Sequence, residues 1–143
     1  MPNKGARVNE RVYYPIVSKH FERQGFRTFI EHPAYGAYST RVDVMAVSGD
    51  GEIVSTEVKM RFRRRHIGQI LRLLRFSDFV YLALPRDYYG RMRRTNRRII
   101  ERLGVGIILM NGKGVLVERA PRRSPLLSDR HKRYVLQRAK HYL

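Results

Sequence analysis

The spacing of apolar residues changes period several times along this chain, and each change marks an element. After a polar lead-in over residues 1–8 that reads as flexible, Asn9 sits where a helix cap is expected. Tyr13, Ile16, Val17 and Phe21 then recur at helical spacing, which predicts a first helix over about Glu10 to Arg23. Pro15 either kinks that helix or marks a later start, and Gly25 ends it. Arg27 to His32 reads as a strand, and a loop from Pro33 to Thr40 with Tyr35, Gly36 and Tyr38 leads onward.

Val42 to Val47 is a β-branched apolar run with one interruption, Asp43. Ser48-Gly49-Asp50-Gly51 signals a tight turn, which returns the chain antiparallel as a strand from Glu52 to Met60. Ile67, Ile70, Leu71 and Leu74 form one helical stripe, with Gln69 off it between Arg65 and Arg72. Asp78 to Leu84 is nearly continuously apolar, as suits a strand buried on both faces of a parallel or mixed sheet. A third helix follows from Arg86 to Leu103, with Met92, Asn96, Ile99, Ile100 and Leu103 inward and Gly104 ending it. Val105 to Met110 and Val115 to Arg119 form a hairpin, Pro121 to Ser128 reads as a flexible link, and a basic helix starts near Asp129. Helices interleaved with strands in this order predict an α/β fold, a mixed β-sheet flanked by α-helices.

Within that pattern Asp43 is the anomaly, because an unpaired carboxylate in a buried strand costs roughly several kcal/mol by desolvation. The hairpin brings Glu57 back beside it. Alternation along the strand puts Glu57 and Lys59 on one face and Val54, Val58 and Met60 on the other. Two carboxylates and an amine converge. The bland alternative for the trio is a structural Asp43–Lys59 ion pair. The five histidines are dispersed and form no metal-spacing cluster.

At 143 residues the chain is expected to form a single domain, 1–143, with residues 121–143 as a basic C-terminal extension. A net charge of +18 implies a polyanionic partner, and the preponderance of arginine favours nucleic acid over an anionic membrane. With no cysteine, thiolate zinc sites and cysteine catalysis are excluded. No apolar run of membrane-spanning length and no signal-peptide pattern is present, so the expected location is intracellular, cytoplasmic and nucleoid-associated. Arg61, Arg63, Arg64 and Arg65 follow the Glu57 strand, and Arg72, Arg91, Arg94 and Arg98 recur on the next helices without balancing acids. These are the expected nucleic-acid contacts, directed at backbone and shape because no groove-reading motif is present.

An acidic residue on the second strand, Glu-x-Lys on the third and a glutamine on the following helix together resemble the PD-(D/E)xK nuclease superfamily, whose fold is called restriction endonuclease-like. The likeness runs from about Glu10 to Arg119 and is strongest to the archaeal Holliday-junction resolvase and Mrr-type branches. The resemblance implies that Asp43 and Glu57 are metal-ligating carboxylates, that Lys59 is the catalytic lysine, and that Gln69 is the helix glutamine of the catalytic set. It further implies Glu10 as an accessory acid at the metal, with the Val58 carbonyl a reasonable additional ligand. Val42 stands where the motif has proline, and the junction resolvases' full loop signature is missing ahead of Asp43, which leaves junction specificity open.

The expectation is therefore a Mg²⁺-dependent DNA endonuclease, with Mn²⁺ able to substitute, acting on structured or duplex DNA and needing no small-molecule cofactor. Paired cuts by one small site per chain would call for a homodimer. The alternative is a non-catalytic nucleic-acid-binding protein that retains the nuclease fold, and a weaker one is a basic RNA-binding protein. For Glu10 the competing role is helix-dipole complementation, and for Gln69 a solvated helix position.

Overall fold

A computed structural model of the chain describes residues 2–33 and 41–140, with side chains from residue 10 onward. Tyr35, Gly36, Tyr38 and His141 lie outside the described residues. Six strands, β1 (Arg27–Pro33), β2 (Arg41–Val47), β3 (Ile53–Val58), β4 (Phe79–Pro85), β5 (Gly106–Asn111) and β6 (Gly114–Arg119), lie side by side in chain order. Short connections make β1–β2, β2–β3 and β5–β6 antiparallel. Where a helix intervenes, β3–β4 and β4–β5 run parallel, as a crossover requires. The β2–β3 turn closes through Ser48, whose N–H donates to the Glu52 carbonyl at 2.9 Å while its Oγ accepts from the Glu52 N–H at 3.0 Å. Gly51 in this turn has φ 84°, a left-handed value that glycine adopts without steric cost.

The helices are α1 (Pro2–Glu22), α2 (Ile67–Phe76, entered through a 3₁₀ turn Arg64–His66), α3 (Arg86–Tyr89), α4 (Arg94–Arg102) and α5 (Asp129–Lys140). Tyr14, Val17 and Phe21 of α1 pack on Val44, Ala46, Val54, Val58 and Ile108. On the opposite face, Ile70, Leu73 and Leu74 of α2, Ile100 of α4 and Val135 of α5 pack on Met45, Ile53, Leu82, Leu84 and Ile107. Side chains of successive strand residues thus feed two cores, and the result is a three-layer α/β/α arrangement. Among the described residues α1 alone covers its face, touching β1, β2, β3 and β6. No described helix is long and apolar enough to cross a membrane.

Three expectations need correction. The first helix starts at Pro2 rather than Glu10, so residues 2–8 are helical instead of a flexible lead-in and Asn9 is interior rather than a cap. Proline suits a first helical position, and the polar residues that follow do not break a helix. Its buried stripe is also turned by one position, with Tyr14, Val17, Ser18 and Phe21 buried while Tyr13 and Ile16 are half-exposed. The third helix is two pieces, because the chain bends between Tyr89 and Arg94. Arg97 Nη2 donates to the Tyr89 carbonyl across that bend, and its guanidinium lies 4.7 Å from the Tyr89 ring centroid.

The third correction concerns Pro121 to Ser128, which is fastened rather than flexible. The N–H groups of Arg122, Ser124 and Ser128 each donate at 2.8 Å to the carbonyls of Gly104, Asp78 and Arg75. Asp78, 2% exposed, anchors the same segment through its side chain. Its Oδ2 accepts from the Ile53 N–H at 2.8 Å and from Lys132 Nζ at 2.8 Å, and Arg123 Nη1 stands 3.2 Å from Oδ1. A carboxylate shared among a backbone N–H and two cations is satisfied although buried, which is why it is tolerated at the entrance to β4.

Candidate active site

Cα pairing between β2 and β3 runs from Val47↔Ile53 to Val44↔Thr56 and stops there, one residue short of Asp43 and Glu57. The strands diverge at that point, and the Asp43 side chain takes over the lost pairing. Its Oδ2 accepts from the Val58 N–H at 2.8 Å, and its Oδ1 accepts from Tyr14 Oη at 3.0 Å. On the other side of β2, pairing passes from Ile30↔Val44 to His32↔Val42, skipping Glu31, whose φ of 52° is left-handed for a non-glycine residue. Val42 and Met45 then share one core while Val44 lies in the other, so alternation breaks at Asp43. The register of the flanking pairs is unchanged, so the irregularity is confined to Glu31 and Asp43, and it leaves the Asp43 carboxylate at the gap between β2 and β3.

Glu57 is buried, with its side chain 5% exposed, and its Oε1 lies 3.8 Å from Nζ of Lys59, itself 12% exposed. Lys59 is placed by its backbone, whose N–H donates to the Ala83 carbonyl at 3.0 Å and prolongs the β3–β4 ladder past the end of β3. Burial pushes the Glu57 carboxyl well above the usual range, the Asp43 charge adds to this, and Lys59 opposes it. Burial also raises Asp43, against hydrogen bonds from Glu57, the Val58 N–H and Tyr14 and the charge of Lys59. The two carboxyls are close enough for a proton on one to be hydrogen-bonded to the other, which relieves two like charges held together in a poorly solvated place. Tyr14 is driven far above its ordinary value by burial and by Asp43, and so remains a donor.

One atom of this set is unsatisfied. Glu57 Oε2 is buried and has no hydrogen-bond partner. A buried carboxylate oxygen normally has a donor or a cation beside it, so the pair fits a small divalent cation that would displace the shared proton. Oxygen-only ligation suits Mg²⁺ or Mn²⁺. Among the described residues no group of three or more His, Asp or Glu side chains is placed to hold a metal. Glu10 is near enough for its charge to raise Glu57, more weakly than Asp43 does, without joining Asp43 and Glu57 in such a group. Asp43 and Glu57 are brought together, and among the described residues Glu10 does not complete a three-carboxylate group with them.

Gln69, in the first turn of α2, is half-buried rather than solvated, and its Oε1, like Thr56 Oγ1, is a further buried oxygen without a hydrogen-bond partner. The arginines divide into two groups. Arg61, Arg63, Arg64 and Arg91 line a cleft of about 570 Å³ together with Arg93 and Tyr88, whereas Arg65, Arg72, Arg94 and Arg98 are exposed outside it.

Two residues of the neighbourhood escape sequence reading. Tyr14 is concealed because its ring fits an apolar stripe, although its position seven residues before Phe21 signals the buried face. His66 lies within electrostatic reach of Lys59, and burial followed by the Lys59, Arg65 and Arg63 charges lowers its pKa to about 4. The neutral ring accepts from the Arg63 N–H through Nδ1 at 2.9 Å, a role invisible without the turn that brings them together.

No protein-family model matches the chain, and no curated protein matches it. Solved structures do. A protein of unknown function from Silicibacter pomeroyi is similar with a TM-score of 0.65 and 18% identity, over 89% of this chain and 81% of that one. A repair endonuclease from Pyrococcus abyssi is similar with a TM-score of 0.50 and 20% identity over 73% of this chain, which spans 46% of that protein. At these identities the likeness is one of fold, an α/β fold shared in part with an endonuclease.

Proposed function

We propose that this protein is a metal-dependent DNA endonuclease of PD-(D/E)xK type with a restriction endonuclease-like fold, hydrolysing phosphodiester bonds in structured or duplex DNA. The observation that carries the reading is the buried, unpartnered Glu57 Oε2 beside Asp43 and within reach of Lys59. The likeness in fold to a repair endonuclease supports the same reading.

Asp43, Glu57 and the Val58 carbonyl would hold Mg²⁺ or Mn²⁺, with Glu10 reaching it through water. Bound there, the ion supplies positive charge against the phosphodiester and acidifies water beside it. Lys59 donates to the attacking water or to a phosphate oxygen, and its low exposure strengthens that interaction. Tyr14 fixes Asp43 through Oδ1 while the Val58 N–H fixes it through Oδ2, so the carboxylate is oriented before substrate arrives. Gln69 offers its amide to Lys59 or to the backbone. A second copy of the chain would supply the cut on a second strand.

The competing reading, a nucleic-acid-binding protein without catalysis, draws on the same carboxyl pair sharing a proton and on the lack of a three-carboxylate group among the described residues. Incubating wild type and Lys59→Ala with single strand, duplex, flap and four-way junction in Mg²⁺ and in Mn²⁺ separates the two. Cleavage by wild type alone is expected. Intact substrates under every condition, with DNA still bound, would establish the binder.

A further inference from the structure

Five guanidinium groups face one cleft from two segments of chain. Arg61 and Arg63 come from the loop after β3, Arg64 from the 3₁₀ turn that follows it, and Arg91 and Arg93 from the bend between α3 and α4. None of the five makes a salt bridge with an acidic side chain among the described residues. Uncompensated like charges at this density repel, and flexible surface arginines would be expected to splay. Here the backbone beneath them is held. Tyr88 Oη accepts from the Phe62 N–H at 3.0 Å and donates to the Phe62 carbonyl at 3.1 Å, tying one wall to the other. His66 Nδ1 holds the Arg63 N–H, and Arg97 closes the bend that presents Arg91 and Arg93. The cleft is a built concavity rather than a solvated charged face.

Its size and place narrow the ligand. The cleft is open to solvent and, at about 570 Å³, has room inside it for a nucleotide or two of one strand. Asn96, 4% exposed, and Thr95 line it from the first turn of α4, where no side chain caps the helix N-terminus. Arg61 follows Lys59 by two residues, at the same C-terminal ends of the parallel strands β3 and β4. One wall of the cleft therefore begins two residues along the chain from Lys59.

We infer that this cleft grips the phosphates of an unpaired DNA strand, so that the substrate is DNA with a single-stranded segment adjoining the cut rather than a fully paired duplex. The inference rests on the nuclease reading of the Asp43–Glu57 pair. Arginine supplies the chemistry, since its planar fork binds phosphate oxygens bidentately and stacks on unpaired bases.

Fluorescence anisotropy in EDTA tests it without catalysis, using a duplex with a labelled single-stranded overhang, a blunt duplex of equal length and inorganic tripolyphosphate as competitor. The full chain is expected to bind the overhang at least tenfold more tightly than the blunt duplex. Arg63→Ala/Arg91→Ala should reduce overhang binding tenfold or more, reduce blunt-duplex binding less than threefold, and lower the salt dependence of overhang binding by about two phosphate contacts. The charge-matched Arg130→Ala/Arg133→Ala on exposed positions of α5 should preserve the preference. Circular dichroism checks that each variant is folded. Equal loss on both DNAs, or loss of preference in the α5 control, would overturn the proposal in favour of general electrostatic attachment. Tripolyphosphate displacing the overhang at equal phosphate concentration would overturn it in favour of a free-polyphosphate site. Because no metal is present, a protein that cuts nothing in Mg²⁺ or Mn²⁺ can still pass this test, and one that cuts can fail it.

Discussion

Tyr14 Oη donates to Asp43 Oδ1 at 3.0 Å across 29 residues of sequence, joining the first helix to the point where β2 and β3 part. Burial and the Asp43 charge keep the phenol protonated, so this donor is constant over the working pH range. Tyr14→Phe keeps the ring and removes the bond. Turnover should fall about tenfold, which corresponds to ~1.4 kcal/mol, with DNA affinity in EDTA unchanged. Single-turnover cleavage together with anisotropy checks this, and a parallel loss of affinity would show the bond to be only structural.

Glu57→Gln separates stability from activity. Glu57 is raised by burial and by Asp43, so the folded protein binds a proton that the unfolded chain, with carboxyls near ~4, releases. That difference destabilises the fold fully above the raised value, shrinks as pH falls below it, and is gone only below the unfolded value. Without metal at neutral pH, the variant should melt about 3–6 °C higher than wild type, on a scale of ~1–2 kcal/mol, while cleaving nothing. The gap should narrow as pH falls toward ~4. An unchanged or lower melting temperature at neutral pH would sink the account of the pair.

Metal binding can be read without a substrate. Mn²⁺ at ten to a hundred times its dissociation constant should stabilise wild type by about 1.4–2.7 kcal/mol, and Asp43→Ala or Glu57→Gln not at all. Differential scanning calorimetry over a Mn²⁺ titration measures it. A shift of the same size in the variants would locate the ion elsewhere.

Much of this architecture is legible in the residues, for reasons that also explain the failures. The Ser48–Gly51 turn fixes the β2–β3 hairpin and hence the approach of Glu57 to Asp43, and the apolar run Phe79–Pro85 could only be a central strand. Local signals suffice there. The phase of α1 was harder to read because Tyr14 and Ser18 are buried with their hydroxyls hydrogen-bonded, to Asp43 and to Glu22 and Thr28, and polar groups with distant partners do not announce a buried face. The break after Tyr89 defies periodicity, since Met92, Asn96 and Ile100 keep helical spacing across it and are all buried. Asp78 looks like the start of a strand, while the two cations that help satisfy it lie 45 and 54 residues onward.

Asp78→Ala should lower stability by about 2–4 kcal/mol. It strands the buried Ile53 N–H and unfastens Lys132, although Arg123, 60% exposed, can return to water at little cost. Urea denaturation is expected to show an earlier midpoint with an unchanged slope. Lys132→Met should cost less, since Asp78 keeps the Ile53 N–H and Arg123.

Strands that lie in the sheet in the order of their synthesis give the nascent chain an unusually simple task. Each new strand is added beside the one just made, so closing the sheet never requires a long search across the chain. Helix α1 is the exception, made first but seated partly on β6, the last strand. Until Gly114–Arg119 leave the ribosome, its apolar stripe lacks part of its cover, and that interval is when a chaperone would have most to hold.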